Sequence, residues 1–188
     1  LTAKHHDDFL LWDSQYPNPY RPKFHTPRDL VGEFVRAMRA QDIRVGLYYS
    51  GGPDWIFNPQ TMKYLVDVMA FIPDSQAYAD YVDSHYRELI ALYKPDILWN
   101  DIGYPAKGHL VQILAEYYNN FPDGLINDRF AQLNMGFLGK VKPLRWLLNR
   151  LVESRIRKGK DLSPSGLGPQ IGDYKTPEYT QMKDITPY

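Results

Sequence analysis

A chain of 188 residues with 44% apolar side chains can bury a sizeable core, and its matched 22 basic and 22 acidic residues leave no overall field to favour nucleic acid or an anionic membrane. The absence of cysteine excludes disulfides, cysteine nucleophiles and thiolate metal sites. No apolar run is long enough to span a bilayer. Compartment stays open, periplasmic or secreted on one side and cytoplasmic on the other, and so does oligomeric state.

Leu1-Thr2-Ala3 reads as the end of a strand already under way, and the far end stops without a structural terminus, so the chain reads as a fragment. Thr26-Pro27 looks like an N-cap and first-turn proline. The helix after it puts Leu30, Val31, Phe34, Val35 and Met38 on one face. Ile43 to Tyr49 is rich in β-formers and is closed by Ser50-Gly51-Gly52-Pro53. A second helix is expected from about Ser75 to Tyr93, with Tyr78, Tyr81, Val82, Leu89, Ile90 and Tyr93 inward and Pro95 ending it. Ile97-Leu98-Trp99 is the next strand, with Asn100-Asp101 at its tip. Leu110, Val111, Leu114 and Tyr118 mark a third helix, and Gly124-Leu125-Ile126 a short strand ending in Asn127-Asp128-Arg129.

Strands alternating with helices imply an α/β fold with a parallel sheet. Polar clusters follow the strands: His5-His6-Asp7, Tyr49-Ser50, Asn100-Asp101 and Asn127-Asp128-Arg129. Strand C-terminal ends build the site of a (β/α)8 barrel, and that architecture fits better than an open nucleotide-binding sheet, since no strand leads into a glycine-rich phosphate fingerprint. After Phe130 the rhythm breaks. Residues 131–171 form a basic amphipathic insertion: Leu144, Leu147, Leu148, Leu151, Val152 and Ile156 make an apolar side, with Lys140, Lys142, Arg145, Arg150, Arg155, Arg157, Lys158 and Lys160 around it. Ser163 to Gly172 has linker composition. A locally packed insertion with a solvated basic face is the preferred reading over membrane-surface contact.

The candidate chemistry lies at the strand tips. Asp101 can serve as a rigidly held carboxylate nucleophile, or cap a turn. His5 and His6 are adjacent, and on a regular strand neighbours point to opposite faces, so both reach one metal only through a local irregularity. His5, His6 and Asp7 could still serve a metal-dependent hydrolase; hydrogen bonding to a polar substrate is the better reading for at least one histidine. The high aromatic content, 14% with 15 Tyr, suits a sugar cleft, although most of these tyrosines are expected to be core or surface filler. Arg129 can clamp a carboxylate or substrate through its planar fork, or stand as a surface cation. Glu178, in a loop after Pro177, reads on its own as a surface carboxylate.

Six strings taken in order resemble the α-L-fucosidases of glycoside hydrolase family 29: LTAKHHDDFLLWDS at Leu1–Ser14, KFHTPRDLVGEF at Lys23–Phe34, GLYYSGGPDW at Gly46–Trp55, YKPDILWNDIGYP at Tyr93–Pro105, INDRF at Ile126–Phe130 and GDYKTPEY at Gly172–Tyr179. They cover nearly the whole chain except the insertion. The resemblance implies a partial barrel, about strands 2–5 with their helices, from a retaining hydrolase that releases terminal α-L-fucose from glycans or glycoconjugates by double displacement. It implies Asp101 as nucleophile and Glu178 as general acid/base. It implies His5, His6, Tyr48, Trp99 and Arg129 as substrate-binding residues, with neither metal nor organic cofactor. A fragment of this kind is expected to be inactive alone. Asp8 stands where the family has Gly, a position that asks for left-handed backbone, which Asp tolerates better than most residues. Phe130 stands for a usual Trp. A non-catalytic fucose-binding barrel relic is the alternative.

Overall fold

The computed structural model describes residues 1–132, 141–158 and 171–176. Strands β1 (Thr2–Lys4), β2 (Gly46–Ser50), β3 (Ile97–Asp101) and β4 (Leu125–Ile126) form one parallel sheet in chain order. Parallel neighbours need crossover connections, and helices supply them. Helix α1 (Leu30–Arg39) joins β1 to β2, α2 (Asp67–Ala70) and α3 (Gln76–Tyr93) join β2 to β3, and α4 (Leu110–Asn120) joins β3 to β4. Helix α5 (Lys142–Arg157) follows. A parallel bridge between Asn127 and Tyr174 then lays residues 171–176 beside the end of β4.

Register decides which residues share a face. Gly46, Tyr48 and Ser50 of β2 stand opposite Ile97, Trp99 and Asp101 of β3, so by alternation these line one side of the sheet. Leu47, Tyr49, Leu98 and Asn100 point the other way, into the core shared with Val82, Tyr86 and Leu89 of α3. The α3 residues expected to be inward are all buried, and Ser75 caps the helix by accepting from the Tyr78 N–H at 3.1 Å.

Four local expectations need correction. The cap of α1 is Asp29, not Thr26: Asp29 Oδ1 accepts from the Gly32 N–H at 2.8 Å and also from the Tyr93 hydroxyl at 2.8 Å, a tertiary anchor that Thr26 lacks. Strand β2 begins at Gly46 rather than Ile43, because the Val45 N–H goes to the Asp96 side chain at 2.7 Å and Ile43 is left exposed. In α4 the inward residues are Leu110, Ile113, Leu114 and Tyr117, while Val111 is 70% exposed. Buried Asp83 of α3 sets that rotation by accepting from His109 N at 2.9 Å and meeting His109 Nδ1 at 2.7 Å at the start of α4. Helix α5 does not bury its whole leucine stripe: Leu147 and Leu151 are about half exposed. It docks through polar groups, Arg145 to Asp67 at 3.2 Å and over the Phe71 ring, and Asn149 Oδ1 accepting from Leu65 N at 3.0 Å. Arg145 is therefore tucked in rather than part of a solvated basic face.

Asn100 ties three strand ends together. Its Oδ1 accepts from the Tyr86 hydroxyl at 2.7 Å and the Gly51 N–H at 3.2 Å, and its Nδ2 donates to the carbonyls of Gly103 and Arg129, both at 2.8 Å. Its backbone exchanges bonds with the Asn127 side chain at 3.0 and 2.9 Å. Replacing Asn100 by Ala orphans several buried partners at once, so the full-length protein should lose at least about 3 kcal/mol of stability. Urea unfolding followed by fluorescence measures this, and a loss below about 1 kcal/mol would show that the network carries little.

Candidate active site

Asp101 ends β3 with its side chain 16% exposed, at the C-terminal edge of the sheet. Both its oxygens are taken up. The Tyr48 hydroxyl donates to Oδ2 at 2.7 Å, and Arg129 donates to Oδ1 at 2.8 Å. Tyr48 is in reach because it stands opposite Trp99 in register, one pleat back on the same face. Arg129 follows β4 and is itself held by Thr176, whose Oγ1 accepts from Nε at 2.7 Å and whose carbonyl accepts from an η nitrogen at 3.2 Å. Thr176 in turn donates from N and Oγ1 to Asp128 at 3.0 and 2.5 Å. The Arg129 guanidinium also lies 6.0 Å from the Trp99 ring centre.

The two histidines lie just past β1, where the strand has already given way to a turn. That irregularity brings the rings together, 4.2 Å apart between centres, instead of sending them to opposite faces. His5 stacks on Tyr48 at 5.7 Å, so the pair borders Asp101. His6 Nδ1 hydrogen-bonds Ser50 Oγ. Burial, with help from His5 and Lys4, pushes the His6 pKa down to about 4, so the ring is neutral at ordinary pH. A neutral imidazole keeps one donor and one acceptor nitrogen, and Ser50 uses one of them. Among the described residues no group of three or more His, Cys, Asp or Glu is disposed to hold a metal ion.

Beneath this turn lies a buried charge cluster that sequence reasoning missed. Lys4 Nζ sits 3.4 Å from Asp8 and 2.9 Å from Asp54, and donates to the Ser50 carbonyl at 3.2 Å. Asp8 also accepts from Asn18 and from the Tyr81 hydroxyl at 3.0 Å. Its backbone is left-handed, φ 66°, as the expected family glycine would be, and its N–H closes the turn onto the His5 carbonyl at 3.1 Å. Two carboxyls and one ammonium cannot all stay charged cheaply in such a place. Burial lifts Asp8 to about 7; Lys4 pulls it down and Asp54 pushes it back up. Burial would raise Asp54 too, but Lys4 and a hydrogen bond from Asp8 outweigh it and hold it low. Below about pH 7 the pair thus keeps one proton between them. The only sequence cue was Asp8 in the place of Gly.

Ser50, Asn100 and Asn127 stood in the strand-tip clusters without a role of their own, and Thr176 was not singled out. Alternation could have found Ser50, which shares the face of Tyr48. His5, His6, Tyr48, Trp99, Asp101 and Arg129 are brought together in one site. Glu178, Pro177 and the linker residues 163–170 lie outside the described residues.

The family model described as alpha-L-fucosidase matches residues 1–187. The chain belongs to the α-L-fucosidase family. Against the rat tissue alpha-L-fucosidase it is 34% identical over 139 residues, 70% of this chain and 29% of the rat protein. The crystal structure of Thermotoga maritima alpha-fucosidase in complex with fucose superposes with a TM-score of 0.64 at 43% identity, covering 69% of this chain and 31% of that one. A Thermotoga maritima alpha-L-fucosynthase in complex with alpha-L-Fuc-(1-2)-beta-L-Fuc-N3 gives 0.64 at 42%, covering 69% and 30%. The chain therefore spans about three-tenths of the length of these relatives. The parallel sheet in sequential order is the α/β arrangement of part of the barrel of these fucosidases. Such relatives bind fucose and fucosylated sugars.

The shared proton gives a pH test. Because the folded pKa of Asp8 lies above its usual 3.8, the folded protein holds a proton that the unfolded chain releases. The stability this confers is full below about pH 4 and is lost as pH rises through about 7. Asp8→Asn keeps a side chain that tolerates φ 66° but cannot ionise. Urea midpoints of the full-length variant should fall less between pH 4 and 7 than those of the wild type. Parallel pH profiles would show that Asp8 does not carry the proton.

Proposed function

We propose that this chain carries the fucose-binding and nucleophilic part of a retaining α-L-fucosidase, acting on terminal fucose of oligosaccharides or glycoconjugates. The observation that carries the reading is the Asp101 carboxylate at the tip of β3, gripped by Tyr48 and Arg129 and bordered by the His5–His6 pair. A carboxylate fixed through both oxygens is positioned to attack an anomeric carbon. His5, His6, Tyr48, Trp99 and Arg129 offer what a deoxy sugar asks for: imidazole nitrogens and a hydroxyl for its OH groups, and ring faces for its methyl and C–H surface. Attack by Asp101 breaks the glycosidic bond and leaves a covalent fucosyl ester. Water then hydrolyses the ester, so two inversions give net retention. This chemistry needs neither metal nor organic cofactor.

Glu178 is assigned as the general acid and base. It would protonate the departing oxygen in the first step and take a proton from water in the second. Support comes from Thr176, two positions earlier, which holds the same Arg129 that holds Asp101. Two residues of chain reach at most about 7 Å, and retaining pairs need their carboxyls only about 5–5.5 Å apart.

In the full-length protein, Asp101→Gly should abolish turnover of an aryl α-L-fucoside, and added azide should restore part of it with formation of a β-fucosyl azide. Turnover near wild type would remove Asp101 from the nucleophile role. It would equally fit a sugar-binding relic if the wild type itself released no fucose. Glu178→Ala should slow hydrolysis of sugar-linked fucosides at least about 100-fold, because sugar alkoxides need a proton to leave. An activated aryl fucoside should lose far less in its first step and show a burst as the ester accumulates. Equal losses on both substrates would assign the acid elsewhere, with Glu153 and Asp173 the next residues to replace.

A further inference from the structure

We propose that the aromatic floor of the site continues past His6 onto Trp55, and that the open groove beyond it seats the sugar to which fucose is attached. This inference rests on the fucosidase reading and extends it to the leaving-group side.

The floor can be followed ring by ring from the proposed nucleophile. Tyr48 touches Asp101, His5 stacks on Tyr48 at 5.7 Å, His6 lies 4.2 Å from His5, and Trp55 lies 6.1 Å from His6. These contacts make a continuous chain of rings from Tyr48 to Trp55. His6 stands at the join: its partners are Ser50 and His5 on the Asp101 side, and its carbonyl accepts from Trp55 N at 2.9 Å on the other.

Trp55 is an exposed indole on a fixed backbone. It is 49% exposed, yet Asp54 just before it is fully buried, accepts from the Ile56 and Phe57 N–H groups at 2.9 and 3.0 Å, and pairs with Lys4. Among the described residues the indole face is thus left open on a rigid support, the form of a pre-organised stacking platform. The groove beside it holds about 360 Å³ and is lined by Trp55, Pro59, Gln60, Thr61 and Met62. That is the lower end of small-ligand sites. The lining mixes apolar surface with amide and hydroxyl groups, which matches a sugar ring, with its apolar C–H face and hydroxyl rim. An extended apolar partner would find Gln60 and Thr61 uncompensated.

The test compares two substrates in the full-length protein. One is fucose linked to lactose, taking whichever fucosyl isomer the wild type turns over fastest. The other is α-L-fucosyl fluoride, whose leaving group stops at the scissile bond. In Trp55→Ala the ratio of kcat/KM for the lactose-linked substrate to that for the fluoride should fall at least about tenfold, mainly through KM. Trp55→Phe, which keeps a stacking face, should recover most of it. An unchanged ratio in Trp55→Ala, or equal losses on both substrates, overturns the proposal; the second outcome makes the indole merely structural. A wild type that releases fucose from neither substrate overturns the fucosidase reading itself, and this inference with it.

Discussion

The site depends on how three strand ends are locked to one another, and Asn100 does most of the locking. Parallel strands pair through their backbones only as far as the ladder runs; beyond it, each loop must find its own hydrogen bonds. The side chain of Asn100 points away from Asp101, toward the helices, and meets Tyr86 of α3, Gly51 after β2, Gly103 after β3 and Arg129 after β4. Both the amide oxygen and the amide nitrogen are fully used. One residue therefore sets the relative positions of the loops that carry the site residues following β2 and β4, while its neighbour Asp101 receives the result on the opposite face. Close packing enforces the same geometry. A Cβ on Gly52 would come within 2.2 Å of the Ile102 carbonyl, and Ile102 itself is held at φ 56°, an uncommon value for a β-branched residue. The chain turns sharply immediately after the proposed nucleophile, and Asn100 is the bond that holds it there.

From that frame a second relay runs outward through charge. Asp101 is held by Arg129, Arg129 by Thr176, and Thr176 by Asp128. The guanidinium serves two elements at once, and its planar fork makes that possible where a lysine could not. The segment at residues 171–176 is independently stitched to β4, with Asp173 accepting from Ile126 N at 2.8 Å and from the Tyr118 hydroxyl at 2.7 Å. Residues 171–176 are thus bonded to β4, to α4 and to the loop after β4.

Much of this was legible in the residues, and the failures follow a pattern. The alternation of strands and helices, the inward face of α3 and the strand-tip placing of His5, His6, Asp101 and Arg129 follow from period and position, whereas Tyr48 and Trp99 were reached only through the resemblance to the fucosidase strings. What was misread depended on distant polar partners. Asp29 wins the α1 cap because Tyr93 reaches it; Asp96 takes the Val45 N–H that would have begun β2; Asp83 rotates α4 against its apparent apolar stripe; and Asp67 and Leu65 dock α5 by its polar residues. Hydrophobic periodicity is blind to all four, because each is a hydrogen bond or ion pair between residues tens of positions apart. The proposed general acid Glu178 raises a different difficulty: its assignment crosses the insertion at 131–171, which none of the six matching strings covers.

The buried cluster below the histidines shows how the local chemistry of the turn and the chemistry of the site constrain each other. A glycine at position 8 would satisfy the left-handed turn at no electrostatic cost. Aspartate satisfies it as well, but brings a carboxyl into a space already holding Asp54 and only one ammonium. The proton retained there removes the excess charge and lets Asp8 bond to Asp54, while Tyr81 and Asn18 still donate to it. The turn gains an anchor from α3 that a glycine could not provide. That anchor sits directly behind His5 and His6, whose spacing from Tyr48 defines the floor of the cleft. Under the proposed function, rigidity beneath this surface is worth a buried, half-neutralised cluster, because the bound ring would have to be held within a fraction of an ångström of the attacking oxygen. The exchange of Gly for Asp is then tolerable in this fold because Lys4 is already present to receive it.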